Sequence, residues 1–128
     1  MAQWCDIGVN LFSAQFDADR AATVQRAAQA GIRNLLLIGS DLAESQLNIT
    51  FCQQYAGCYT TAGIHPHQAA NADTGWQQHL QQLLLLPAVV ALGECGLDFN
   101  RDFSPRPIQQ QVFAEQLQLA KQHTKPVY

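Results

Sequence analysis

Val89-Val90-Ala91-Leu92-Gly93-Glu94-Cys95-Gly96-Leu97-Asp98-Phe99 drives an apolar strand straight into a carboxylate flanked by glycines. Burying an ionised carboxylate at such a strand end costs several kcal/mol unless it is paired, hydrogen-bonded or bound to a metal. Gly93 and Gly96 let backbone or a ligand approach closely. Glu94 therefore has two readings, a structural glutamate held by an arginine or a carboxylate that binds something, because ion pairs and functional sites both harbour buried acids. The other strand ends bear on the choice.

The same unit repeats outward from this stretch. Cys5 to Val9 reads as a first strand, followed by a helix from about Asp17 with Ala21, Val24 and Ala28 at helical spacing and Gly31 as its C-cap. Asn34 to Ile38 is an apolar second strand. Asp41-Leu42-Ala43-Glu44 has the form of a capping box opening a helix whose inner face is Leu42, Ile49, Cys52 and Ala56. Cys58 to Ile64, rich in β-branched and aromatic residues, supplies a third strand. Thr74 and Gln77 are placed to cap a helix burying Trp76, Leu80, Leu83 and Leu84, which Pro87 ends before the fourth strand begins. Pro107 suits the first turn of a last helix carrying Ile108, Val112, Phe113, Leu117 and Ala120, and Val127-Tyr128 has the form of a fifth strand starting.

Four βα units with nearly continuous apolar strands predict an α/β fold, a parallel sheet covered by helices. Two architectures satisfy this: a doubly wound, flavodoxin-like sheet, which fits 128 residues, and part of a (β/α)8 barrel, which needs about 250. A fifth strand of two residues pairs poorly, so residues 1–128 are expected to be a partial domain that stops where that strand begins.

Composition narrows the function classes. The chain is 48% hydrophobic and 13% charged, with a formal net charge of -3, so no global attraction to nucleic acid exists and a polyanion must be handled by local cations or metals. The longest apolar runs, Leu83 to Leu86 and Val89 to Leu92, fall far short of the roughly 20 residues of a membrane span. The first ten residues lack the basic and apolar regions of a signal peptide, so a cytoplasmic chain off the membrane is expected. Cys5, Cys52, Cys58 and Cys95 form no Cys-x-x-Cys pair, which argues against a zinc ribbon and for reduced thiols.

In either parallel architecture ligands bind at the carboxyl ends of the strands, and the polar residues gather there. The first strand carries Asp6 and ends in Gly8-Val9-Asn10, the second in Gly39-Ser40-Asp41, the third in His65-Pro66-His67 and the fourth in Glu94. Ser40 and Asp41 are best read as helix caps. His65 and His67 taken singly suit structural roles, and Asp6 suits a core acid bonded to backbone amides. Asp6, Asn10, His65 and Glu94 together make an oxygen-and-nitrogen set suited to a hard or borderline divalent metal.

Asp6-Ile7-Gly8-Val9-Asn10-Leu11, Thr61-Ala62-Gly63-Ile64-His65-Pro66-His67 and Gly93-Glu94-Cys95-Gly96-Leu97-Asp98-Phe99-Asn100 resemble the three N-terminal signatures of the TatD-type metal-dependent deoxyribonucleases, amidohydrolase-like TIM barrels. The resemblance covers the whole chain and implies the N-terminal half of a (β/α)8 barrel. It implies a metal-dependent phosphodiester hydrolase, a 3'-5' exonuclease on single-stranded DNA or RNA ends that uses magnesium, with manganese or zinc as alternatives. Residue by residue, Glu94 corresponds to a metal-ligating glutamate and His65 to a histidine near the site, in a substrate or supporting role; His67 and Asn10 lie on the same face. Most relatives place a His-x-His pair on the first strand where this chain has Gly8-Val9-Asn10. The family's remaining ligands, two histidines and an aspartate, belong to later strands beyond Tyr128. Phe99, Phe103 and Trp76 are candidates for stacking on bases, though each is better placed for core or loop packing, and Asp98 for orienting its neighbours or for an exposed turn. The alternatives are hydrolysis of a small amide or ester on a related barrel and an inactive half barrel. The complete protein is expected to be a monomer and the 128-residue chain to self-associate.

Overall fold

The computed structural model describes residues 2–128 as four parallel strands, β1 (Trp4–Val9), β2 (Ile32–Leu37), β3 (Cys58–Ala62) and β4 (Val89–Leu92), alternating with helices α1 (Arg20–Gln29), α2 (Leu42–Cys52), α3 (Trp76–Leu84) and α4 (Arg106–Gln122). Each strand pairs with its sequence neighbour, giving the order β1-β2-β3-β4. That order decides between the two architectures. A doubly wound sheet reverses direction at a switch point, whereas right-handed crossovers that always step the same way put every helix on one face.

The helix-facing residues form two apolar clusters. Ile49, Ala62, Ile64, Leu80, Leu84 and Leu92 pack between β3, β4 and α2 to α4, and Leu11, Val24, Leu35, Leu37, Cys52 and Cys58 pack around β2, α1 and α2. Alternate residues point the other way. On that uncovered face Leu36 pairs with Tyr59, and Tyr59 and Val90 are exposed. Among the described residues β1 has only β2 beside it, and Trp4 and Ile7 are 65% and 63% exposed. At the opposite edge the chain returns to β4: Pro126 O accepts the Leu92 N–H at 2.9 Å and Tyr128 N–H donates to Leu92 O at 2.8 Å, a parallel bridge of Leu92 with Val127. Unpaired edges and an uncovered apolar face both template association. The isolated chain is therefore expected to sediment as oligomers at micromolar concentration; a compact monomer would show that these surfaces are tolerated in water.

Local corrections have physical causes. The stretch from Ala14 to Phe16 is a 3-10 turn and α1 starts only at Arg20. Gly75, in the left-handed region, precedes α3 and no side chain caps it, so neither Thr74 nor Gln77 does so. Ala56 lies past the end of α2 and is exposed, while Ser45 and Asn48 are buried on that helix's inner face. On α4, Ile108 and Leu117 are exposed, and the buried stripe is Gln109, Val112, Gln116, Leu119 and Ala120. Both glutamines are buried because they serve the backbone of the strand-end loops: Gln116 Oε1 accepts the Ile64 N–H at 2.8 Å and its Nε2 donates to Ile64 O at 3.0 Å. Gln109 Oε1 accepts the Asp98 N–H at 2.8 Å, and its Nε2 donates to Ser104 O at 2.7 Å.

Candidate active site

The carboxyl ends of the strands surround a cleft of about 390 Å³ lined by Gly8, Asn10, Ser40, Glu44, His65, His67, Glu94 and Tyr128. Close backbone contacts build it. The Gly93 N–H donates to Ala62 O at 2.9 Å and the Glu94 N–H to Gly39 O at 2.8 Å, so the loop after β4 is tied to both preceding strand ends. A Cβ on Gly93 would collide with the Tyr128 carbonyl, which is why this position is glycine. Among the described residues nothing lies within 4 Å of where a Cβ on Gly96 would sit, and its φ of +147° is what glycine supplies there. Asp41 caps α2 as expected, accepting the Glu44 N–H at 2.7 Å, but the returning Glu44 carboxylate takes the Ser40 N–H at 3.3 Å, one residue earlier than a capping box requires.

Glu94 stands at the C-terminal end of a parallel strand with its side chain 43% exposed and Oε1 3.7 Å from His65 Nε2. No arginine holds it: Arg101 pairs with Asp98 at 3.2 Å and Arg106 with Asp102 at 2.7 Å. Burial pushes the His65 imidazole below its ordinary pKa, against the pull of Glu94. Burial also raises Glu44, and the nearby Asp41 and Glu94 charges add to the effect. Sequence reasoning missed Glu44 as a cleft residue, since its position in the capping motif already accounted for it.

His67 joins the cleft wall from the 3-10 helix Pro66–Asn71. Its Nε2 lies 2.6 Å from Asp98 Oδ2, and its ring packs edge-on against His65 and Phe103 at 4.2 Å and 4.7 Å between centroids. Asn10 lines the cleft. Asp6 does not: it is exposed and its Oδ1 accepts the Gly8 N–H at 3.1 Å. Of the aromatic candidates, Trp76 is core, Phe99 lies under the Arg106 guanidinium at 4.8 Å, and Phe103 is 68% exposed. A second cleft of about 430 Å³ beside the starts of α2 and α3 contains neither Glu94 nor His65.

Asp98 is an anchor and not a loose turn residue. The Arg101 backbone N–H, then the His67 side chain, hold its carboxyl far below the usual range. A depressed carboxylate contributes its stability fully above the unfolded value of 3.8 and loses it as pH falls below that toward the folded value. Asp98→Asn is therefore expected to lower the urea midpoint at pH 7 and to make stability less dependent on pH below about 4. An acid limb identical to that of the parent chain would show that Asp98 titrates as it does unfolded.

The donor set suits a hard cation only in part. Glu94 and Glu44 put carboxylate oxygens on one cleft, the ligand type magnesium prefers, but among the described residues no three His, Cys, Asp or Glu converge tightly enough to hold an ion. Thiolate chemistry does not compete. Burial pushes the Cys95 thiol beside the site up to about 11, which keeps it protonated at neutral pH. Among the described residues no helix is long and apolar enough to cross a membrane.

Comparison with known proteins agrees with this geometry. A family model described as TatD related DNase matches residues 5–128. The chain is 48% identical over 125 residues to the 3'-5' ssDNA/RNA exonuclease TatD of Citrobacter rodentium (strain ICC168) and 44% identical over 123 residues to that of Escherichia coli (strain K12), in each case over 96% of this chain and 47% of the relative. The TatD homologue YJJV of Escherichia coli K12 superposes with a TM-score of 0.87 at 31% identity, over 97% of this chain and 49% of that one. A TatD family hydrolase from Entamoeba histolytica does so with a TM-score of 0.84 at 26% identity, over 97% and 48%. The chain spans about half the length of the curated relatives it matches.

Proposed function

The chain belongs to the TatD related DNase family and has the fold of the N-terminal half of its (β/α)8 barrel, and from that premise we propose that it supplies half of the active site of a metal-dependent 3'-5' exonuclease on single-stranded DNA or RNA. The observation that carries this is Glu94, which reaches the cleft at a strand end beside His65 with no arginine neutralising it. A divalent ion held there by Glu94 would mask phosphate charge and lower the pKa of a bound water. Glu94 is the ligand this half contributes, and magnesium is the ion we assign, on the oxygen donors of the cleft. His65, His67 and Asn10 are proposed to line the substrate side, and Asp6 to hold the end of β1 through Gly8.

With a net charge of -3, a phosphate chain is gripped locally, by the ion and by stacking on an exposed ring such as Phe103 beside His67. We place the protein in the cytoplasm on its four free thiols, read residues 1–128 as a partial domain ending at the start of the fifth strand, and expect the complete protein to act as a monomer. The test is to join this half to its C-terminal counterpart and supply single-stranded oligonucleotides labelled at either end, with magnesium or a chelator. Stepwise magnesium-dependent shortening from the 3' end is the expected result. Hydrolysis of small amides or esters with nucleic acid left intact would replace this reading by the other hydrolase one.

A further inference from the structure

The loop after β3 fixes which nitrogen of His65 carries the proton. His65 Nδ1 accepts the His67 backbone N–H at 3.0 Å. A backbone N–H only donates, so Nδ1 presents its lone pair and the neutral ring carries its hydrogen on Nε2. The flipped ring would set a carbon against that amide and leave the donor unpaired, which a part-buried backbone avoids. The amide is itself held in place. Ser104 Oγ donates to His67 O at 3.1 Å and accepts the Ala70 N–H at 3.0 Å, while Asp98 fixes the His67 ring.

Nε2 borders the cleft, and its 3.7 Å separation from Glu94 Oε1 is longer than a hydrogen bond. The N–H is therefore not consumed by Glu94. A histidine that binds a metal through Nε2 needs the opposite arrangement, with the lone pair on Nε2 and an N–H on Nδ1 facing an acceptor. We propose that the His67 amide locks His65 in the Nε2–H form and that His65 donates this hydrogen to an anionic phosphate oxygen in the cleft instead of ligating the ion. The phosphate as part of a nucleic acid rests on the nuclease reading above; the locked tautomer does not.

The experiment uses this half joined to its C-terminal counterpart, labelled with ¹⁵N-histidine, free of metal, at a pH above the imidazole range. Long-range proton–nitrogen correlations are expected to show His65 with a bare Nδ1 and a protonated Nε2; the reverse pattern overturns the proposal. Titrated inorganic phosphate should shift the Nε2 signal. His65→Ala should weaken phosphate binding by about tenfold or more, the lower end for a hydrogen bond to a charged group, and His65→Gln, which keeps an N–H at similar reach, should restore most of it. Phosphate binding that His65→Ala leaves unchanged overturns the donor role. Manganese affinity that falls as far in His65→Ala as in Glu94→Ala overturns the claim that His65 is not a ligand. A protonated Nε2 that answers phosphate, in a completed protein that never degrades nucleic acid, leaves this assignment standing and removes the nuclease reading.

Discussion

Glu94→Ala is expected to reduce magnesium-dependent nucleotide release by a factor on the order of a hundred to a thousand once this half is completed. A bound divalent ion contributes several kcal/mol of charge stabilisation, and each 1.4 kcal/mol is about tenfold in rate. Stability should barely move. The Glu94 side chain is 43% exposed and stands 3.7 Å from His65 Nε2, so truncation empties no cavity and breaks no buried network; a change within about 0.5 kcal/mol is normal for such a site. The two readouts separate a lost ligand from a damaged fold. Retained nuclease activity in a folded variant would remove Glu94 from the metal centre.

The largest loss of stability is expected from Gln116→Leu. Gln116 is fully buried on α4 and satisfies both the N–H and the carbonyl of Ile64, the residue before His65. Leucine fills a similar volume but serves neither group. Leaving a buried donor or acceptor unpaired costs about 1–3 kcal/mol each, so unfolding free energy should fall by about 2–6 kcal/mol, read as a lower urea midpoint at unchanged slope. The His65 resonances should also broaden or move, because the strand end that carries them has lost its tie to α4. A midpoint within experimental scatter of the parent would mean that water replaces the glutamine without loss.

Gln116 also marks where reading the chain failed. All four strands and the existence of four helices were legible, because short apolar runs and helical spacing are local signals, and Asp41 was recognisable as a cap for the same reason. Glutamines at helical spacing look like a solvent-facing stripe, and the partner that buries Gln116 lies 52 residues away. Ile108 and Leu117 misled in the opposite sense, as apolar residues left outside. The placement of Glu94 and His65 at one cleft was legible from strand-end position, and Asn10 and His67 line that cleft too. The His67 to Asp98 pairing spans 31 residues, so nothing in either motif alone announces it. Asp6 was drawn toward the site by its place on β1, whereas its carboxylate is used within two residues of chain.

Because every strand lies beside the one made just before it, each βα unit finds its pairing partner already synthesised. Pairing between sequence neighbours keeps loop closure shorter than pairing between distant strands would, and the N-terminal part of a chain is the first available during synthesis. The growing end then meets a finished template: β4 offers its free edge, and Pro126 to Tyr128 already hydrogen-bond along it. A protein built this way can be laid down strand by strand in the order of translation, with the rim of the cleft taking shape as each new strand end arrives.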